Sequence, residues 1–113
     1  MKGAESPEHE RVRKALAAYF ETNGWTPVSS PANAVGDMIP DVEGSHHGKR
    51  VYGEAKRCED FPADDTKDQL FRYVKGLPSD YRLYVGVPKT CQGPVQQSLD
   101  AWGLGPRVKL VGL

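Results

Sequence analysis

Pro40-Asp41-Val42-Glu43-Gly44-Ser45-His46-His47-Gly48-Lys49-Arg50-Val51-Tyr52-Gly53-Glu54-Ala55-Lys56-Arg57 is the stretch whose reading decides the fold. Gly44 to Gly48 is rich in turn formers and is flanked on both sides by alternating apolar and polar residues, the pattern of a β-hairpin. Met38 to Glu43 is expected as one arm and Arg50 to Arg57 as the other. Successive strand side chains point to opposite faces. Ile39 and Asp41 therefore face one way, and Met38 and Val42 the other. On the second arm Tyr52, Glu54 and Lys56 share a face. Val51, Gly53 and Ala55 share the opposite one, and their small size leaves room for a helix to pack closely.

This alternation puts Asp41 and Glu54 on the same face of adjacent arms. Lys56 emerges on that face about 6–7 Å further along the strand. Two carboxylates and an ammonium on rigid strands are what hydrolysis of a phosphodiester asks for. A divalent cation between carboxylates and phosphate polarises the phosphorus and lowers the pKa of a bound water. Mg²⁺ keeps several of its waters, so one or two protein carboxylates suffice. A nearby ammonium orients the water or stabilises charge growing on the phosphate.

Outward from the hairpin, periodicity predicts the other elements. Ser6 is a candidate N-cap and Pro7 suits the first helical position of a helix from Pro7 to Asn23. Val12, Ala15, Leu16, Tyr19 and Phe20 form its apolar stripe. Trp25 to Ser29 reads as a short strand and 30–36 as a loop. A second helix is expected from Thr66 to Gly76 and a third from Gln92 to Trp102. Strands are expected at Tyr81–Val87 and Arg107–Leu113. The order αβββαβαβ implies an α/β domain, a mixed sheet with helices on its faces.

The 113 residues suit one domain. Lys+Arg and Asp+Glu both count 15, which excludes the strongly basic coat of a protein that grips DNA by charge alone. The charge is uneven: 1–68 carries a balance of −4 and 69–113 of +4. Carboxylates are densest at Glu59, Asp60, Asp64, Asp65 and Asp68, as a solvated helix start or an acidic rim around a metal. No apolar run reaches the ~18 residues of a membrane span. Cys58 and Cys91 are too few for a disulfide scaffold and read as free thiols, with a reducing, cytoplasmic setting expected.

Pro40-Asp41 with Glu54-x-Lys56, in a hairpin and in this element order, resembles the PD-(D/E)XK nuclease superfamily and its restriction-endonuclease-like αβββαβ core, here followed by a further helix and strand. The resemblance implies that Asp41 and Glu54 bind Mg²⁺ (or Mn²⁺), that the Ala55 carbonyl adds a ligand, and that Lys56 serves the nucleophilic water. Gln69 and Tyr73 are similar to a Gln-x-x-x-Tyr motif of RecB-like members, in which the Gln helps position the site. Thr66-Lys67-Asp68-Gln69 reads equally as a capping box. Many members place a metal-reaching Glu on the first helix; Glu8, on the inward stripe, is the candidate, whereas Glu10 falls nearly opposite. Asp37 is a turn residue or an outer-sphere partner. Lys49, Arg50, Arg57, Arg72 and Lys75 are candidates to flank a nucleic-acid groove.

The opening Lys2-Gly3-Ala4, the Glu-bearing helix and the Gly24-Trp25 entry resemble small archaeal-type Holliday junction resolvases. The neutral charge departs from that pattern, because such proteins hold four-way DNA by phosphate contacts. The expectation is a metal-dependent DNA endonuclease, with branched or four-way DNA as the favoured substrate and a homodimer as the working form. The rivals are a non-catalytic nucleic-acid or interaction module that keeps the fold, a VRR-type nuclease, and an RNA-directed nuclease.

Overall fold

The computed structural model describes residues 5–32, 39–78, 81 and 83–113. Asp37, Met38 and the Lys2-Gly3-Ala4 opening lie outside them. Helix α1 (Pro7–Thr22) begins where expected, with the Ser6 hydroxyl accepting from the His9 amide at 3.1 Å. Strands β1 (Val28–Ser29), β2 (Val42–His46) and β3 (Lys49–Ala55) follow. Then come α2 (Asp64–Gly76), β4 (Leu83–Val87), α3 (Gln92–Ala101) and β5 (Val108–Gly112). The protein is α/β, with one five-stranded mixed sheet in the order β1-β2-β3-β4-β5. The first three strands pair antiparallel; β3–β4 and β4–β5 pair parallel.

Period-2 alternation sorts the side chains into two cores. Val42 and Val51 point to the α1 side, where Leu16 and Phe20 meet them. Gly53 is required here: a Cβ on it would lie 2.8 Å from Leu16 Cδ2 and 2.9 Å from Phe20 Cζ. A larger residue would push α1 off the sheet. The other face carries Tyr52, Leu83, Val85 and Val87 against Leu70 and Tyr73 of α2, Leu77 just after it, and Val95 and Leu99 of α3. The sheet is thus sandwiched between one helix and two, and no helix among the described residues is long and apolar enough to cross a membrane.

Three expectations are corrected. The hairpin turn occupies only His47-Gly48, not 44–48; both have positive φ (51° and 78°), as a two-residue turn compatible with strand twist requires. The pairing therefore continues to His46↔Lys49. The strand expected over Trp25–Ser29 shrinks to two residues, because Trp25 instead stands over Gly44, its Cβ and carbonyl filling the place of a side chain there. Cys58 and Cys91 are not free thiols but a disulfide, with Cα atoms 5.7 Å apart. The parallel pairing of β3 and β4 brings the segments leaving both strands to one end of the sheet, which a separation of 33 residues does not reveal.

Candidate active site

The register Val42↔Gly53 sets Asp41 across from Glu54, one step beyond the last β2–β3 pair at this end. The Asp41 amide donates to Glu54 Oε1 at 3.0 Å, and the Ala55 amide donates to Asp41 Oδ2 at 2.8 Å. The Glu54 carboxyl thus holds the Asp41 amide, and the Asp41 carboxyl holds the amide that follows Glu54. Lys56 continues the ladder, its amide donating to the Gly86 carbonyl at 2.9 Å. Its ammonium lies 3.6 Å from Glu54 Oε2 and donates to Gln69 Oε1 from α2. Tyr73, one helical turn on from Gln69, donates to the Ile39 carbonyl at 3.0 Å.

Glu54 is 3% exposed, and burial pushes its carboxyl up to about 8, with the neighbouring Asp41 charge adding to the shift and Lys56 opposing it. Burial likewise raises the Tyr73 hydroxyl, and the Glu54 and Asp41 charges raise it further. Two carboxylates forced together in a dry corner are relieved either by a proton or by a cation. Their oxygens suit a hard divalent ion, and the residues present fit one that keeps most of its waters. Among the described residues no group of three or more His, Cys, Asp or Glu is arranged to hold a metal. A cation here would therefore rest on Asp41 and Glu54, with backbone and water completing its shell.

Lys56 and Gln69 open onto a cleft of about 500 Å³, also lined by Asp60, Asp65, Thr66, Asp68 and Arg72. Helix α2 starts at Asp64 with Ala63 as N-cap, so Thr66 does not cap it, and the capping-box reading of Gln69 gives way to its contact with Lys56. Glu8 is exposed in the first turn of α1 and makes none of the hydrogen bonds or ion pairs found around Asp41. The residue of α1 that reaches Asp41 is His9, whose Nε2 lies 3.3 Å from Asp41 Oδ2. Glu8 and His9 precede the buried Val12 by four and three residues, so both lie on its stripe. The stripe is a legible signal, but it admits both residues and does not tell Glu8 from His9. Ser30, also unanticipated, donates to the Asp41 carbonyl at 2.9 Å.

The basic candidates divide. Arg72 lines the cleft beside Lys56, and Lys75 is exposed one turn further along α2. Arg57 is paired with Glu59 and Asp60. Lys49 and Arg50 sit at the far end of β3, roughly 20 Å from Lys56 at strand rise. Arg50 pairs there with Glu43 at 3.5 Å. Comparison of the chain with protein-family models, with curated proteins and with solved structures finds no match.

Proposed function

We propose that this protein is a metal-dependent DNA endonuclease of the PD-(D/E)XK kind, with the restriction-endonuclease-like arrangement as its fold. The observation that carries the reading is the contact of a buried Glu54 with Asp41 on one side and the Lys56 ammonium on the other. An ordinary surface hairpin has no reason to bury Glu54 against a second acid, since the desolvation cost must be offset by hydrogen bonds, a proton or a paired positive charge. The antiparallel β1-β2-β3 unit, followed by parallel β4 with α1 and α2 on opposite faces, supports the fold assignment.

In this reading Asp41 and Glu54 hold Mg²⁺ or Mn²⁺. The ion supplies Lewis acidity to the phosphate and acidifies a coordinated water. Lys56, held by Gln69 at the cleft wall, orients the attacking water and offsets negative charge on the phosphate. Arg72 supplies a phosphate contact along the cleft, while Asp60, Asp65 and Asp68 repel backbone there. The acidic lining suits a nucleic acid presented locally, at a branch or end, better than a long duplex laid along the groove.

The test is incubation with Mg²⁺ and labelled linear duplex, single strand, flap and four-way junction. Asp41→Ala, Glu54→Ala and Lys56→Ala should each lower cleavage by about 10²-fold or more, as removal of a metal ligand or charge stabiliser does. DNA binding without cleavage by the unmodified protein would favour a non-catalytic module instead, a reading the acidic cleft also leaves standing. Cleavage of RNA alone would move the assignment to an RNA-directed nuclease.

A further inference from the structure

Asp41 stands one residue before β2, outside the strand ladder. Besides its two contacts with Glu54 and Ala55 of β3, it is held by side chains from α1 and from the loop after β1. The His9 ring lies between two carboxylates: Nε2 faces Asp41 Oδ2 at 3.3 Å, and Nδ1 contacts Glu5 Oε2. Glu5 is gripped in turn by Arg13, from Nε at 2.9 Å and from Nη2 at 3.0 Å. The Arg13 hydrogen bonds hold the Glu5 carboxyl down at about 2, so it stays ionised behind the imidazole. The remaining Arg13 nitrogen, Nη1, donates to Ser30 Oγ at 3.0 Å, and that hydroxyl donates to the Asp41 carbonyl. One guanidinium thus anchors two arms, and both arms end on Asp41.

We propose that His9 is a positioning residue for the candidate cation site, and that Glu5, Arg13 and Ser30 form with it a clamp setting the Asp41 carboxylate. The inference rests on the reading of Asp41 as a cation ligand. It differs from a ligand role for His9 itself: Nδ1 contacts Glu5, and Nε2 faces Asp41 Oδ2 at 3.3 Å, where it acts as a donor that orients the carboxylate. A carboxylate whose rotation is restricted loses less freedom when it takes a cation, and outer-shell partners of this kind typically carry about 10–100-fold in metal affinity.

The experiment uses the whole chain and reads metal binding directly. Tb³⁺ emission sensitised by neighbouring tyrosines reports occupancy without substrate, and competition with Mg²⁺ gives its affinity. Cleavage across a Mg²⁺ series then separates the metal requirement from the rate at saturation. His9→Ala should weaken Mg²⁺ about tenfold while the rate at saturating Mg²⁺ falls less than about threefold. His9→Gln, whose amide can still donate to Asp41, should restore most of the affinity. Ser30→Ala and Arg13→Gln should each weaken binding, and they serve where His9→Ala folds poorly. Glu10→Ala, an exposed residue paired with Lys14, is the control and should change nothing. Equal Mg²⁺ affinity in the unmodified and His9→Ala proteins overturns the clamp while leaving the cation site standing. Loss of binding in both His9→Ala and His9→Gln makes His9 a ligand and also overturns it. Failure of the unmodified protein to bind either ion removes the underlying cation site, a result distinct from the other two.

Discussion

The two ends of the β2–β3 hairpin carry the same kind of pair, an acid beside a basic residue, in different surroundings. Near the turn, Glu43 meets Arg50 at 3.5 Å; Glu43 is buried, but its partner is half exposed. At the other end Glu54 meets Lys56 at 3.6 Å, and both are largely buried, with side chains 4% and 13% exposed. What separates the two is the second acid. Asp41 lies against Glu54, so a second carboxyl group crowds the Glu54–Lys56 pair, and the crowding favours a bound proton or cation. The difference teaches that a buried Glu beside a cation is structural by default, and that crowding with a second carboxyl turns such a pair into a candidate site.

The two ends also differ in how they are tethered, and this gives the largest expected effect. The segment leaving the site end is tied covalently by Cys58–Cys91, whereas the turn end is held by strand pairing and by Trp25 packed on His46. Replacing both cysteines by serine should cost about 3–4 kcal/mol of stability for a cross-link spanning 33 residues, by the chain-entropy account. Urea unfolding of the oxidised protein against the double variant measures it, and equal midpoints would show that the Phe61–Trp102 stack, with centroids 5.7 Å apart, holds the segment alone.

Next is the pH response of the crowded carboxyl. Glu54 titrates near 8 in the folded chain against 4.5 ordinarily, so between these values the folded state binds a proton that the unfolded state lacks. Stability contributed by the protonated group is fully present below about 4.5 and is lost as pH rises through about 8. In metal-free buffer the thermal midpoint should therefore fall between pH 5 and 9. Glu54→Gln should flatten that slope and raise the midpoint at pH 9 by several degrees, on the order of 4–8 °C per kcal/mol recovered. Millimolar Mg²⁺ should raise the midpoint of the unmodified protein at pH 8, as a cation held by Asp41 and Glu54 in the folded form alone would. A slope unchanged by Glu54→Gln would contradict the crowding.

The smallest effect belongs to the turn end. Arg50→Ala should cost no more than ~1 kcal/mol, because an exposed partner in a salt bridge is screened by solvent. Cleavage by this variant should stay within about threefold of the unmodified protein, against the loss of about 10²-fold or more for Lys56→Ala. A comparable loss from both would erase the distinction between the ends and point to a role for the turn in holding nucleic acid.

Much of the architecture was legible along the chain. Helical periodicity located α1, α2 and α3 within a few residues, and alternation assigned the faces of β3. Strand length was less legible. Pro27 and the close approach of Trp25 to Gly44 reduce β1 to two residues, and such an approach has no local signature. The two-residue turn was obscured by His47, which adopts the positive φ more often supplied by Asn or Asp.

From sequence alone came the helix and strand order, and a hairpin pattern that puts Asp41, Glu54 and Lys56 on a common face. Both follow from residue spacing, since the periods of 3.6 and 2 are properties of the backbone. Tertiary structure alone decided that Gln69 meets Lys56, that His9 rather than Glu8 reaches Asp41, and that Cys58 bonds Cys91. Each joins elements far apart in sequence, and such contacts depend on which helix covers which face and on which strands lie side by side. Spacing along one element carries no record of those choices.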